Sequence, residues 1–166
     1  MTNPMPFGAK RALTAGEWSA ISPGLLKALR RKGVEPEIVA RASIPALLAA
    51  VRWGRAPIMV IGRRIFWPGA VDDLSQPWSD PALAVLQHEL QHVLEFATGE
   101  LSALRYIAAP RNWLYGYRLG PDSQWADFGA EQRASIAEHH WLIERRLMLD
   151  PAGGAHHRRV LPWMNP

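Results

Sequence analysis

At 166 residues the chain is most simply one domain, long enough to bury a core without covalent staples. It contains no cysteine, which excludes disulfides and thiolate metal sites, so any metal must be held by histidine and carboxylate. The formal charge of +4 is modest, and the arginines are scattered (Arg30-Arg31, Arg63-Arg64, Arg145-Arg146, Arg158-Arg159), which speaks for a solvated surface and against a nucleic-acid face.

No apolar run approaches the roughly 18 residues of a membrane span, and Met1 to Gly8 lacks the apolar core of a signal peptide. The expectation is a protein with no membrane partner, cytoplasmic or exported by a signal-independent secretion system. Eight tryptophans are many for this length; most belong in a core, with some lining a cleft.

Residues 1–12, with two prolines, read as a flexible lead-in, residues 13–150 as a single domain, and residues 151–166 as a C-terminal tail with Trp163 as its anchor. Thr14-Ala15-Gly16-Glu17 is a capping-box sequence that starts a short helix carrying Trp18 and Ile21. Ser22-Pro23 opens a second helix, Gly24 to Lys32, with Leu25, Leu26 and Leu29 inward and Gly33 as its stop. Residues 36–50 read as helix in two pieces, broken at Ser43-Ile44-Pro45. Pro57 to Ile61 and Arg64 to Trp67 are β-prone runs separated by Gly62-Arg63, the pattern of a tight hairpin. A polar loop then runs from Pro68 to Ser79.

The next run carries the chemistry. Asp80 suits an N-cap, Pro81 the first helical position and Gly99 the residue past the end, while Leu83, Leu86, Leu90, Val93 or Leu94, and Ala97 repeat at helical spacing. Residues four apart on a helix share a face, so His88 and His92 project together. That spacing lets two imidazoles hold one zinc ion while Glu89 leans over the metal's water, the H-E-x-x-H pattern of zinc hydrolases. The alternative is a pair of surface histidines on an amphipathic helix. The pair lies beside the apolar stripe, neither at its centre nor opposite, and such a half-buried position suits ligands better.

Beyond Gly99, Leu101 to Ala109 reads as helical and Pro110 to Pro121 as irregular. Asp127 reads as the N-cap of a last long helix, Phe128 to Leu149, with Ala134, Ile136 or Ala137, Trp141, and Leu147 or Met148 inward. Asp150 to Gly154 ends it. The whole pattern predicts an α+β fold, mainly helical, with a small hairpin or sheet ahead of the H-E-x-x-H helix.

A catalytic zinc needs a third protein ligand. Glu95, one turn past His92 on the same helix, cannot turn back to close the site. Glu131, in the first turn of the last helix and flanked by small residues, is the choice, in the manner of the gluzincin metallopeptidases. Acidic residues also favour any first turn for its dipole, which is the competing explanation. Glu138 is the next candidate and His139-His140 the third.

Several segments together resemble the Vgr-related proteins of proteobacteria, which are similar to the metallopeptidase domain associated with contractile injection systems. They are Leu13 to Glu17, Val51-Arg52, Gly62 to Pro68, the His88–His92 motif with Val93, Tyr115-Gly116-Tyr117, and Asp127 to Ala134, and they span most of residues 13–140. The zinc motif is the specific element; the others are short and weigh through their order. The family continues the motif as His-Val-Trp-Gln, whereas Leu94-Glu95 follows Val93 here, which changes the groove wall and leaves the ligands intact. The resemblance implies a zincin-like core, favours Glu131 through the Glu131-Gln132-x-Ala134 match, and implies a place in a secretion or injection apparatus. It supplies no substrate.

The expected function is therefore a zinc-dependent peptidase with zinc on His88, His92 and Glu131, acting on protein or cell-wall peptide. Such a zinc lowers the pKa of its water to about 7, and Glu89 takes the proton and passes it to the leaving amine. Tyr115, Tyr117 or Arg118, between the two ligand helices, supplies the oxyanion donor, with Tyr117 the foremost candidate. Asp127 is either a second partner orienting a histidine or a plain cap. The competing class is a non-catalytic binding module of an injection apparatus, with zinc as a structural pin or absent.

Overall fold

A computed structural model describes residues 3–54, 56–77, 79–150 and 154–164, with the side chains of Ala49, Arg52 and Trp53 outside the description. The expected helix stop at Pro151 to Gly153 also lies outside the described residues. The fold is α+β, with helices over about half of the chain and one small mixed sheet. In chain order the elements are β1 (Lys10–Ala12), α1 (Ala15–Ala20), α2 (Pro23–Arg31), β2 (Glu37–Val39), α3 (Ile44–Trp53), β3 (Met59–Ile61), β4 (Arg64–Phe66), α4 (Asp80–Thr98), α5 (Ala103–Ala108), α6 (Ala130–Glu144) and α7 (Ala155–Val160). Two 3-10 turns, Pro110–Trp113 and Trp125–Asp127, lie between α5 and α6.

The sheet order is β1-β2-β4-β3. β3 and β4 form the expected hairpin, with Val60 opposite Ile65 and Gly62 at φ 62°, a left-handed turn position that suits glycine. β2 and β4 run parallel, Ile38 beside Ile65, and β1 closes the other side antiparallel. Ile38 and Ile65 are fully buried, so the middle of the sheet faces the core.

Two expectations are corrected here. The piece around residues 37–39, expected as helix, is strand β2. Pro36 keeps Glu35 out of the helical region, the run before Ser43 is too short to hold a helix alone, and Ile38-Val39 gains ladder partners on both sides. The lead-in of residues 1–12 contributes β1, and Pro4 bridges to Val71.

Arg11 is fixed by a two-pronged ion pair with Glu17, at 2.6 and 2.7 Å. Glu17 is 0% exposed and also accepts from the backbone N–H groups of Thr14 and Leu74, so the capping box of α1 holds the strand before it and the loop ahead of α4 as well.

α4 is the spine. Every residue from Leu86 to Glu95 is buried, because α6, α2 and the β3–β4 hairpin pack around it. Its first residue is Asp80 with Ser79 at the N-cap, one position before the expected cap, and Gly99 ends it at φ 77°. Ala130, Ala134 and Ala137 on α6 are all but fully buried, so small side chains let α6 lie close against α4. The C-terminal segment forms α7, and Trp163 beyond it is buried with its indole N–H donating to Gln91 of α4 at 3.0 Å.

Candidate metal centre

A helix buried all round must satisfy its polar side chains internally. Gln87 accepts from the Ser22 backbone N–H at 3.1 Å. Gln91 accepts from Trp163 and donates to Glu95, and Glu95 receives both prongs of Arg133 at 2.9 and 3.2 Å. Those three residues are accounted for by the fold. His88, Glu89 and His92 remain, and they turn toward α6.

There the imidazoles meet Glu131. Its Oε2 lies 3.0 Å from His88 Nε2 and 3.5 Å from His92 Nε2. His88, His92 and Glu131 are 7, 6 and 5% exposed, and one ligand atom from each lies within 4.8 Å of the others. Zinc bound tetrahedrally at about 2.0–2.1 Å sets its ligand atoms about 3.3 Å apart, which the two observed separations bracket. Both Nε2 atoms face the carboxylate, and the His92 Nδ1 atom has no hydrogen-bond partner. Two imidazoles and a carboxylate, with no thiol available, form a donor set that fits zinc.

Further carboxylates and phenols surround the trio. Glu138 Oε2 stands 3.1 Å from His88 Nδ1 and holds that ring from behind. The Tyr106 hydroxyl donates to the other oxygen of Glu131, Oε1, at 2.6 Å. Tyr115 stacks over His88, 6.1 Å between centroids and 20° between planes, and is more than half exposed at the surface of the site.

The electrostatics follow from this crowding. Burial alone would lower His88, but its hydrogen bonds to Glu131 and Glu138 win and push it up to about 10. Glu131 moves the opposite way: burial raises it, and the two histidines hold it well below the usual carboxylate range. Glu89 is raised by burial, opposed by His88 and His92 and reinforced by Glu131 and Glu138. A carboxylate raised in this way is a better proton acceptor near neutral pH.

No family model matches this sequence, no curated protein matches it, and no solved structure matches its fold.

Of the expected site residues, the structure brings His88, Glu89, His92 and Glu131 together. It does not bring Tyr117 to them. The Tyr117 hydroxyl lies 2.6 Å from His139 Nδ1 and 3.0 Å from His157 Nε2, and its ring packs edge-on to Phe128. Residues two apart in an extended segment sit about 6.5 Å apart on one side, so when Tyr115 covers His88, Tyr117 falls on the next station along α6. Arg118 is exposed.

Asp127 is not the N-cap of the last helix: it accepts from the Gln124 backbone N–H at 2.8 Å and closes a separate 3-10 turn, while α6 runs from Ala130 to Glu144 with Gly129 at its N-cap, inside the expected span of Phe128 to Leu149. Glu138 orients a histidine, and His139-His140 joins no metal cluster among the described residues.

Sequence reasoning missed Tyr106 and Asn112. Asn112 accepts from the Ala130 backbone N–H at 3.1 Å and donates to the Arg105 carbonyl at 2.9 Å, tying α5 to the start of α6. Gly129 makes this approach feasible, since a Cβ there would lie 2.1 Å from the Arg111 carbonyl oxygen. The signal available was the asparagine followed, after an irregular stretch, by a glycine at a helix start, too generic to assign.

Proposed function

We propose that the protein is a zinc-dependent peptidase, or more broadly an amide hydrolase, with a zincin-like core in which α4 and α6 supply the ligands. The observation that supports this most directly is the convergence of three buried donor atoms from two helices on one point, with Glu89 beside them. His88, His92 and Glu131 would hold the zinc, which when bound would supply a water of lowered pKa and polarise a carbonyl.

Glu89 then takes the proton and hands it to the leaving nitrogen, a role its raised pKa suits. Glu138 keeps the His88 ring in register. Tyr115, which overlies the cluster and is partly open to solvent, takes the oxyanion-donor role in place of Tyr117. β3 lies at the sheet edge against α4, where an extended peptide can add as a further strand. Service in an injection apparatus rests on the sequence resemblance, and a protein or cell-wall peptide substrate on the H-E-x-x-H pattern alone.

A second reading, a binding module that does not catalyse, is favoured by a different observation. The cluster is nearly closed, and His88 already pairs with two carboxylates. Turnover of quenched-fluorescent peptide pools separates the two. The peptidase reading expects chelator-reversible cleavage that Glu89→Gln abolishes while the metal stays bound. Equal signals from the parent and Glu89→Gln would leave the binding module.

A further inference from the structure

The two oxygens of Glu131 have different company. Oε2 faces both histidines, and Oε1 receives the Tyr106 hydroxyl at 2.6 Å. Tyr106 comes from α5, a helix of six residues with none buried. Such a helix is not held by the core, and the hydrogen bonds that tie it down fall on Arg105 and Tyr106.

The Trp113 indole N–H donates to the Tyr106 carbonyl at 3.1 Å, Asn112 donates to the Arg105 carbonyl, and the Ser102 hydroxyl caps the first turn. Resting on the metal reading above, we infer that Tyr106 is a positioning residue whose hydroxyl reserves Oε1, so that Glu131 presents one oxygen, Oε2, to the metal.

The chemistry is simple. A carboxylate ligand with both oxygens free can chelate, which raises the coordination number and crowds the position needed for water. A strong hydrogen bond to one oxygen removes that option and fixes the rotation of the side chain. Glu131 is 5% exposed, so water does not reach Oε1 freely enough to replace the phenol. Removing the Tyr106 hydroxyl leaves Oε1 to be recruited to the metal or covered by the Tyr115 hydroxyl, the second phenol that hydrogen-bonds Glu131.

The experiment uses Tyr106→Phe, with Trp113→Phe as the control that loosens α5 and keeps the hydroxyl. Zinc affinity is measured by competition with a chromophoric chelator, and the visible spectrum is taken with cobalt(II) in place of zinc. Urea unfolding of the metal-free proteins checks that each variant folds.

The expected result is a parent with the intense cobalt bands of four-coordination, and a Tyr106→Phe protein with weaker, five-coordinate bands and zinc affinity reduced about 10- to 100-fold. Trp113→Phe keeps the parent's spectrum. A Tyr106→Phe protein with the parent's spectrum and affinity overturns the inference and leaves the metal site standing, because Tyr106 would then only tether α5. A Trp113→Phe protein that matches Tyr106→Phe overturns it equally. A parent that binds neither ion overturns the metal reading itself, and this inference with it.

Discussion

Two buried glutamates organise this molecule, and they are built differently. Glu17 is matched group for group: one guanidinium takes both oxygens, and two backbone N–H groups complete its shell. Charge there sums to zero, and the β1 strand and the Leu74 loop depend on it. Glu131 sits in a cluster where three carboxylates, its own and those of Glu89 and Glu138, face two imidazoles. Even with His88 protonated, negative charge is in excess. A buried ionic group with a full set of partners is scaffolding, whereas one with a surplus of one sign fits a further cation.

The largest expected effect breaks the scaffold half of this contrast. Arg11→Ala strands the Glu17 carboxylate in the core and should cost about 3–5 kcal/mol in urea unfolding. Added zinc should not change that loss, because the affected pair lies outside the His88, His92 and Glu131 cluster.

At the other cluster, Glu138→Gln keeps a polar side chain but removes a charge from behind His88. Zinc affinity should fall about 10- to 100-fold, read by chelator competition, while the metal-free protein loses far less stability than the Arg11 variant does. A metal-free protein that lost as much as the Arg11 variant would make Glu138 scaffolding too.

The smallest effect concerns histidines of the opposite kind. His88 is held charged, but burial lowers His140 and His157 to about 4, helped at His140 by Arg158 and opposed at His157 by Asp150. Below about 6.5 the unfolded chain takes up protons at these two positions that the fold refuses until about 4, so stability should be full near pH 7 and decline between those values. Thermal unfolding of chelator-treated protein should show a falling Tm over that window. His157→Gln should flatten part of the slope.

Local signals in the sequence translated well. The Thr14–Glu17 capping box, the Gly62 hairpin and the Gly99 stop depend on neighbours within a few residues, and each forms as expected. β2 did not translate, since Glu37–Val39 is a strand only because β1 and β4, distant in sequence, flank it. The motif helix has the pattern of an amphipathic helix yet is buried all round, because a late helix, α6, and a residue near the C-terminus, Trp163, cover its polar side.

Glu131 was legible from its place in a first turn among small residues. Tyr106 was not, since its link to Glu131 spans 25 residues and no periodicity announces it. Tyr117 and Tyr115 are equivalent in sequence, and only the path of the chain past α6 separates them.

Metal analysis of the purified parent beside His88→Ala, Glu131→Ala and Glu89→Gln bears most directly on the central claim. One zinc per chain in the parent and in Glu89→Gln, and none in the two ligand variants, is the predicted result. A parent free of zinc after incubation with it, or ligand variants that hold as much as the parent, would contradict the account.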